Sequence, residues 1–194
     1  MDLLLDINKR YSYADYLNWA DDKRREIING FVHLMAGPTE FHARLTSNLN
    51  ILMGMMIRSR KGKCRIYHAP FDVRIPLNGS NEEGEIFDVV QPDLCVVCDL
   101  TKIDKNGIIG APDLIVEVLS LSTQKYDWNY KFNLYEKAGV REYWIVDPNA
   151  KIVSVFLLQS NATYDKGTYY ECDQKIPIFI FEGMEIDLSE LFEA

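Results

Sequence analysis

Positive charge is in short supply in this sequence. Lysine and arginine together number 21 against 29 aspartates and glutamates, a formal net charge of −8. A nucleic-acid binder usually carries a basic footprint, so any such reading must rest on a local basic strip inside an acidic total. Long apolar runs are missing too. The longest stretches, such as ILMGMMI, fall far short of the roughly 20 residues that a membrane-spanning helix needs. The segment MDLLLDINKR sets acids where a signal peptide wants bases, so a soluble, cytoplasmic protein is expected. No internal repeat or proline- and serine-rich linker interrupts the chain. Its 194 residues are 47% hydrophobic, enough for one core and a single domain over 1–194.

Cysteine is scarce, at four residues. Cys95 and Cys98 form a CVVC pair, but LCVVC has the composition of a strand, and residues three apart on a strand point to opposite faces. They can share neither a metal nor a bond. Cys64 and Cys172 stand alone in the sequence, so a zinc site is not expected, and four reduced, buried thiols are the reading.

What is present is an α/β pattern. A short helix is expected over about 13–22, with Ser12 as its cap. Asn29-Gly30 separates two apolar runs in REIINGFVHLM and signals a hairpin. A helix over about 39–58 carries Phe41, Leu45, Leu49, Leu52, Met53 and Met56 on one stripe. Strands are expected over about 65–75, 93–98 and 114–120. A helix then runs over about 125–137 to a stop at Gly139, and EYWIV forms a short buried strand. Further strands fall at about 152–158 and 176–181, and EIDLSELF reads as a closing helix. Helix, three strands, helix, strand is an α/β order with a mixed sheet.

One residue is out of place. Glu117 lies in PDLIVEVLS among Leu114, Ile115, Val116, Val118 and Leu119. An unpaired carboxylate there costs several kcal/mol, so it must be neutralised, paired or placed on a metal. A sheet-edge position or a structural salt bridge to a lysine would account for it. Two Pro-Asp pairs precede it. Asp113 is four residues away along the same strand, about 13 Å, too far to share an ion. If strands 93–98 and 114–120 pair antiparallel, Asp93 falls near Leu119, diagonal to Glu117 and on the same face. Two carboxylates from adjacent strands with a nearby carbonyl, that of Val118, suit Mg²⁺ or Mn²⁺. In KYDWNYKFNLYEK, Asp127, Lys131 and Tyr135 share a helix face. Lys131 is the best cation to set beside phosphate charge, although an Asp127–Lys131 surface pair satisfies the spacing equally.

The stretches EIINGFVHLMAGPTEFH, VQPDLCVV, PDLIVEVLSLSTQKYDWNYKFNLYEKAGVREYWIVDP and GMEIDLSELF resemble the PD-(D/E)XK nuclease superfamily, and within it the bacterial Uma-type family of restriction endonucleases. The resemblance implies a restriction-endonuclease-like core: a helix, a three-stranded antiparallel meander, a helix and a strand, here with an extra N-terminal hairpin and C-terminal strands. It makes Asp93 the PD aspartate and Glu117 the acid of the (D/E)XK element. The lysine of that element would lie two positions on, where this chain has Leu119; in this branch it has migrated to the next helix, to Lys131. Asp127 matches a family position that could orient that lysine. Glu26 matches as a further metal or supporting acid or a hairpin residue, and His42 as a residue of the active face or a helix cap. Leu121 replaces the branch's usual proline after EVLS.

The implied activity is Mg²⁺-dependent (or Mn²⁺-dependent) endonucleolytic hydrolysis of DNA, by a homodimer. The alternative is an inactive or regulatory nuclease-fold module that serves as a binding domain. Two basic segments could meet phosphate: Lys23-Arg24-Arg25 and, as the better candidate, RSRKGKCR with Arg58, Arg60, Lys61, Lys63 and Arg65.

Overall fold

The structure, a computed structural model, describes residues 5–120 and 130–193. Its first half contains α1 (Tyr13–Tyr16), β1 (Arg25–Ile28), β2 (Phe31–Leu34), α2 (Glu40–Ser59), β3 (Arg65–His68), β4 (Val73–Arg74), β5 (Val89–Val90) and β6 (Leu94–Val97). Then come β7 (Ile103–Asp104), β8 (Gly107–Ile109), β9 (Leu114–Val118), α3 (Phe132–Ala138), β10 (Glu142–Asp147) and β11 (Ile152–Leu157). The chain closes with β12 (Thr168–Glu171), β13 (Lys175–Pro177), β14 (Glu185–Asp187) and α4 (Leu188–Phe192).

The central sheet has the order β12-β11-β10-β9-β6-β3. β3, β6 and β9 form an antiparallel meander, and β10 joins β9 in parallel after α3. Helix, meander, helix, strand is therefore the observed core. A second sheet, β2-β1-β5-β4-β8-β7, contains the N-terminal hairpin.

Strand alternation divides the interior. Leu114, Val116 and Val118 of β9 point into a core with Leu45, Leu49, Met53 and Ile57 of α2 and with the C-terminal elements. Ile115 and Leu119 point the other way, to Leu134 and Tyr135 of α3 and to Val73, Val90 and Ile108 of the second sheet. β9 is covered on both faces, which is why its sequence is apolar apart from Glu117. The α2 stripe at every fourth residue is the buried face of an amphipathic helix. Thr39 caps that helix by accepting from the His42 N–H.

Local signals were met at the hairpin and at α3. Asn29 and Gly30 both take positive φ, 51° and 81°, as a tight turn between twisted strands requires. Gly139 ends α3 in the left-handed region, its N–H donating to Tyr135 O and Glu136 O.

Several expectations need correction. The helix at 13–22 ends at Tyr16, where the Asn18 side chain donates to Ala14 O and competes with the helical pattern. The strand expected over 65–75 divides after His68 because Pro70 has no N–H for a ladder, and β4 joins the other sheet. EIDLSELF is half strand: β14 pairs with β13, and Asp187 then caps α4. Cys64 and Cys98 form a disulfide rather than staying reduced. Arg65 pairs with Val97, so the residues just outside that pair, Cys64 and Cys98, stand opposite each other on adjacent strands. Cys95 faces the other core, as the CVVC spacing requires. The start of the helix expected at 125 lies outside the described residues.

Packing predicts a sharp contrast along α2. Leu49 is 0% exposed and Met55 is 67% exposed. Leu49→Ala is expected to cost about 2–5 kcal/mol in urea unfolding, with a cavity left behind, and Met55→Ala about 0.5 kcal/mol or less. Equal losses would show that this face of α2 does not carry the core.

Candidate active site

Glu117 occupies the α3 face of β9, between Ile115 and Leu119, and is 3% exposed. Its Oε1 accepts from Lys131 Nζ at 2.9 Å and from the Tyr135 hydroxyl at 2.7 Å. Lys131 stands at the residue just before α3 and Tyr135 follows one turn later, so both reach one carboxylate. Lys131 Nζ also lies 3.0 Å from Glu26 Oε1. Glu26 comes from β1 in the other sheet, and the same oxygen accepts from the Gln91 N–H at 2.8 Å. One ammonium thus sits between two buried carboxylates brought from different sheets. Each charge alone would be costly there; together they are compensated.

Asp93 precedes β6. The β6–β9 register pairs Leu94 with Val116 and Cys95 with Ile115, which carries Asp93 opposite Glu117 rather than diagonal to it. The sequence reading missed the register by two positions because the long connection between the strands did not fix it. Asp93 Oδ2 accepts from the Val118 N–H at 2.8 Å and lies 3.1 Å from His42 Nε2. Oδ1 receives no hydrogen bond from the described residues. At Val118 the contact shown is made by the amide N–H, whereas the expectation used its carbonyl. Asp113, set aside earlier, accepts from the Cys98 N–H and pairs with Arg141, which fixes the start of β9.

A cleft of about 970 Å³ opens over these groups, lined by Glu26, His42, Asp93, Glu117, Val118 and Lys131. Tyr135 lies behind them, fully buried. Burial first, then the negative charge of Glu117 and Glu26, raises its hydroxyl well above the usual tyrosine range. It therefore stays protonated and donating. Burial, helped by Glu117, pushes the Cys95 thiol up to about 12, so it is no nucleophile.

Sequence reasoning missed the cleft residues His33 and His68 and offered Arg24 only within the weaker of its two basic segments, Lys23-Arg24-Arg25. His33 is the cross-strand partner of Glu26, a pairing that counting outward from Asn29-Gly30 would have found. Burial lowers its pKa, Glu26 opposes that shift and Lys131 adds to it, which favours the neutral ring. Asp127 lies outside the described residues. The basic strip is not brought to the cleft. Arg58 is sixteen residues along α2 from His42, about 24 Å by helical rise. Arg60, Lys61, Lys63 and Arg65 continue beyond it, and Arg60 donates to Glu182 O. None of the five lines the cleft.

The family described as "Putative restriction endonuclease" (Uma2) matches residues 13–189. The chain belongs to this Uma2 family. Two uncharacterized Synechocystis proteins are similar to this Uma2 chain. The protein slr1290 is 27% identical over 150 residues, covering 76% of this chain and 74% of its own. The protein sll1609 is 30% identical over 139 residues, covering 69% and 73%. Among solved structures, a "putative nuclease belonging to DUF820" from Anabaena variabilis superposes with a TM-score of 0.73 at 17% identity, covering 94% of this chain and 97% of that one. At that identity the likeness speaks for the fold, a restriction-endonuclease-like one.

The charge network generates a test. Lys131→Met leaves two buried carboxylates uncompensated and is expected to cost about 3–5 kcal/mol in urea unfolding. Adding Glu117→Gln should then recover stability. Simple addition of two losses would show that these groups are not one network.

Proposed function

We propose that the protein is a divalent-metal-dependent endonuclease that hydrolyses DNA phosphodiester bonds, acting as a homodimer in the cytoplasm. The observation that supports this most is Lys131, an ammonium 2.9 Å from Glu117 and 3.0 Å from Glu26 on the cleft wall, with Asp93 opposite Glu117. Membership of the Uma2 family agrees with it.

The donor set fits Mg²⁺ or Mn²⁺. Asp93 and Glu117 offer oxygen ligands from opposed strand positions, and Asp93 keeps Oδ1 for a ligand while Oδ2 is tethered. Among the described residues no group of three His, Cys, Asp or Glu makes an all-protein cage. An ion that takes one or two carboxylates and otherwise water and phosphate needs none. Held by Asp93 and Glu117, such an ion would polarise the phosphodiester and lower the pKa of a bound water.

The chain's own groups do the rest. Lys131 offers positive charge to the phosphate oxygens as charge develops on them, and Glu26 holds that ammonium on the β1 side. Tyr135 fixes one oxygen of Glu117. His42 and the Val118 N–H fix one oxygen of Asp93, so the second points consistently. A second reading, a regulatory module with a spent centre, draws on the burial of Lys131 and Glu117, each 3% exposed.

Nicking of supercoiled plasmid separates the two. The expected result is nicking with Mg²⁺ or Mn²⁺ and none with EDTA. Asp93→Asn and the charge-keeping Lys131→Arg should each slow it by about a hundredfold or more, with circular dichroism unchanged. Full activity in both variants overturns the assignment. A folded wild-type protein that neither nicks DNA nor takes up Mn²⁺ in calorimetric titration is the regulatory module.

A further inference from the structure

The cleft holds a second cation that this chemistry does not use. Arg24 stands just before β1, lines the cleft and is half-buried. Glu26 is two residues on and shares its face of the strand, about 7 Å away. The Arg24 Nε and Nη2 both donate to Gln91 Oε1, at 3.1 and 3.0 Å. It makes no ion pair among the described residues. Four other arginines are ion-paired: Arg25 with Asp21, Arg44 with Glu40, Arg74 with Asp104 and Arg141 with Asp113. A carboxylate whose charge it feels, Asp72, stands on the far side of Gln91 rather than in contact with the guanidinium, so in a chain of net charge −8 Arg24 keeps its charge on the cleft wall.

Its anchor explains how it stays that way. Gln91 is 6% exposed, and its Nε2 donates to Asp72 Oδ1 at 2.8 Å and to the Tyr16 hydroxyl at 3.2 Å. Those acceptors fix the amide so that its oxygen faces Arg24. A neutral oxygen orients a guanidinium without cancelling its charge, which a carboxylate in the same place would do. The Gln91 backbone N–H meanwhile donates to Glu26 Oε1, the oxygen beside Lys131. One buried residue thus sets the spacing between the cleft's two cations.

We propose that Arg24 contacts a phosphate flanking the scissile one on the bound DNA strand, and that Gln91 is its positioning residue. This rests on the nuclease reading. Lys131 serves the reacting phosphate, and Arg24, one strand repeat along from the Glu26 that holds Lys131, serves its neighbour. The guanidinium N–H donors left over after the Gln91 contacts suit phosphate oxygens.

The test is binding of a fluorescent DNA duplex with Ca²⁺ replacing Mg²⁺, followed over a salt series, alongside nicking kinetics with Mg²⁺. Arg24→Ala should flatten the slope of log K against log [salt] by about 1, the share of one phosphate. It should raise KM with kcat within about twofold, as lost uniform binding does. Arg24→Lys keeps the charge and should keep the slope. Gln91→Leu should raise KM as well, and the double variant should be no worse than Arg24→Ala alone. An unchanged slope in Arg24→Ala overturns the proposal, as does a slope lost in Arg58→Ala instead, which would assign the phosphate contact to the far basic strip. Wild-type nicking with an unaffected Arg24→Ala defeats this inference alone. A wild-type protein that neither binds nor nicks DNA defeats the nuclease reading and this one with it.

Discussion

The ammonium of Lys131 between Glu26 and Glu117 is the contact on which the rest of the arrangement depends. β9 is buried on both faces, so a charged residue in it is tolerable only with a counter-charge delivered from outside the strand. α3 delivers it, and it can do so only because β10 returns parallel to β9 and holds α3 across the sheet. Glu26 must then come from the second sheet, because one ammonium near one carboxylate leaves donors to satisfy. The packing of the two sheets against each other is therefore tied to a polar contact as well as to the apolar cluster around Val73, Val90 and Ile108.

Burial of a carboxylate does not mark a site by itself. Glu142 in β10 is 0% exposed, more deeply buried than Glu117. It accepts from Trp144 Nε1 at 2.7 Å and from the Ile180 N–H at 2.9 Å. Burial raises its pKa, and those hydrogen bonds only partly offset the shift. Glu142 ties the chain beyond β13 to the start of β10, a structural duty. What separates Glu117 is the company it keeps: a cation, a second acid from another sheet, a third acid opposite, and an open cleft.

Much of this was legible in the sequence where the signal was local. The α2 stripe, the Asn29-Gly30 turn, the Gly139 stop and the oddity of Glu117 each follow from residues close together in the chain. Lys131 and Tyr135 were readable as one helix face, though not as partners of Glu117 and Glu26. What escaped depended on register or on pairing across long loops. Asp93 opposite Glu117 needs the β6–β9 register, and the Cys64–Cys98 bond needs the β3–β6 register. The short strands β5, β7 and β8 have too few residues for a periodicity to show. The strip at 58–65 misled because charge density carries no position: a 20-residue helix separates it from the cleft.

On the proposed reading, the same geometry reconciles an acidic chain with a polyanionic substrate. Net charge acts at long range and is screened within about 8–10 Å at ordinary ionic strength, whereas contact with a phosphate is decided over a few ångströms. Inside the cleft three acids are already engaged: Glu26 and Glu117 by Lys131, and Asp93 by His42 and the Val118 N–H. Arg24 faces a neutral amide. The local field is therefore far less negative than the composition implies, and a cation bound at Asp93 and Glu117 would turn it positive. On the proposed reading, the acidic surface disfavours loose attachment to DNA anywhere else on the molecule, which concentrates productive contact at the one cleft that can offset the repulsion.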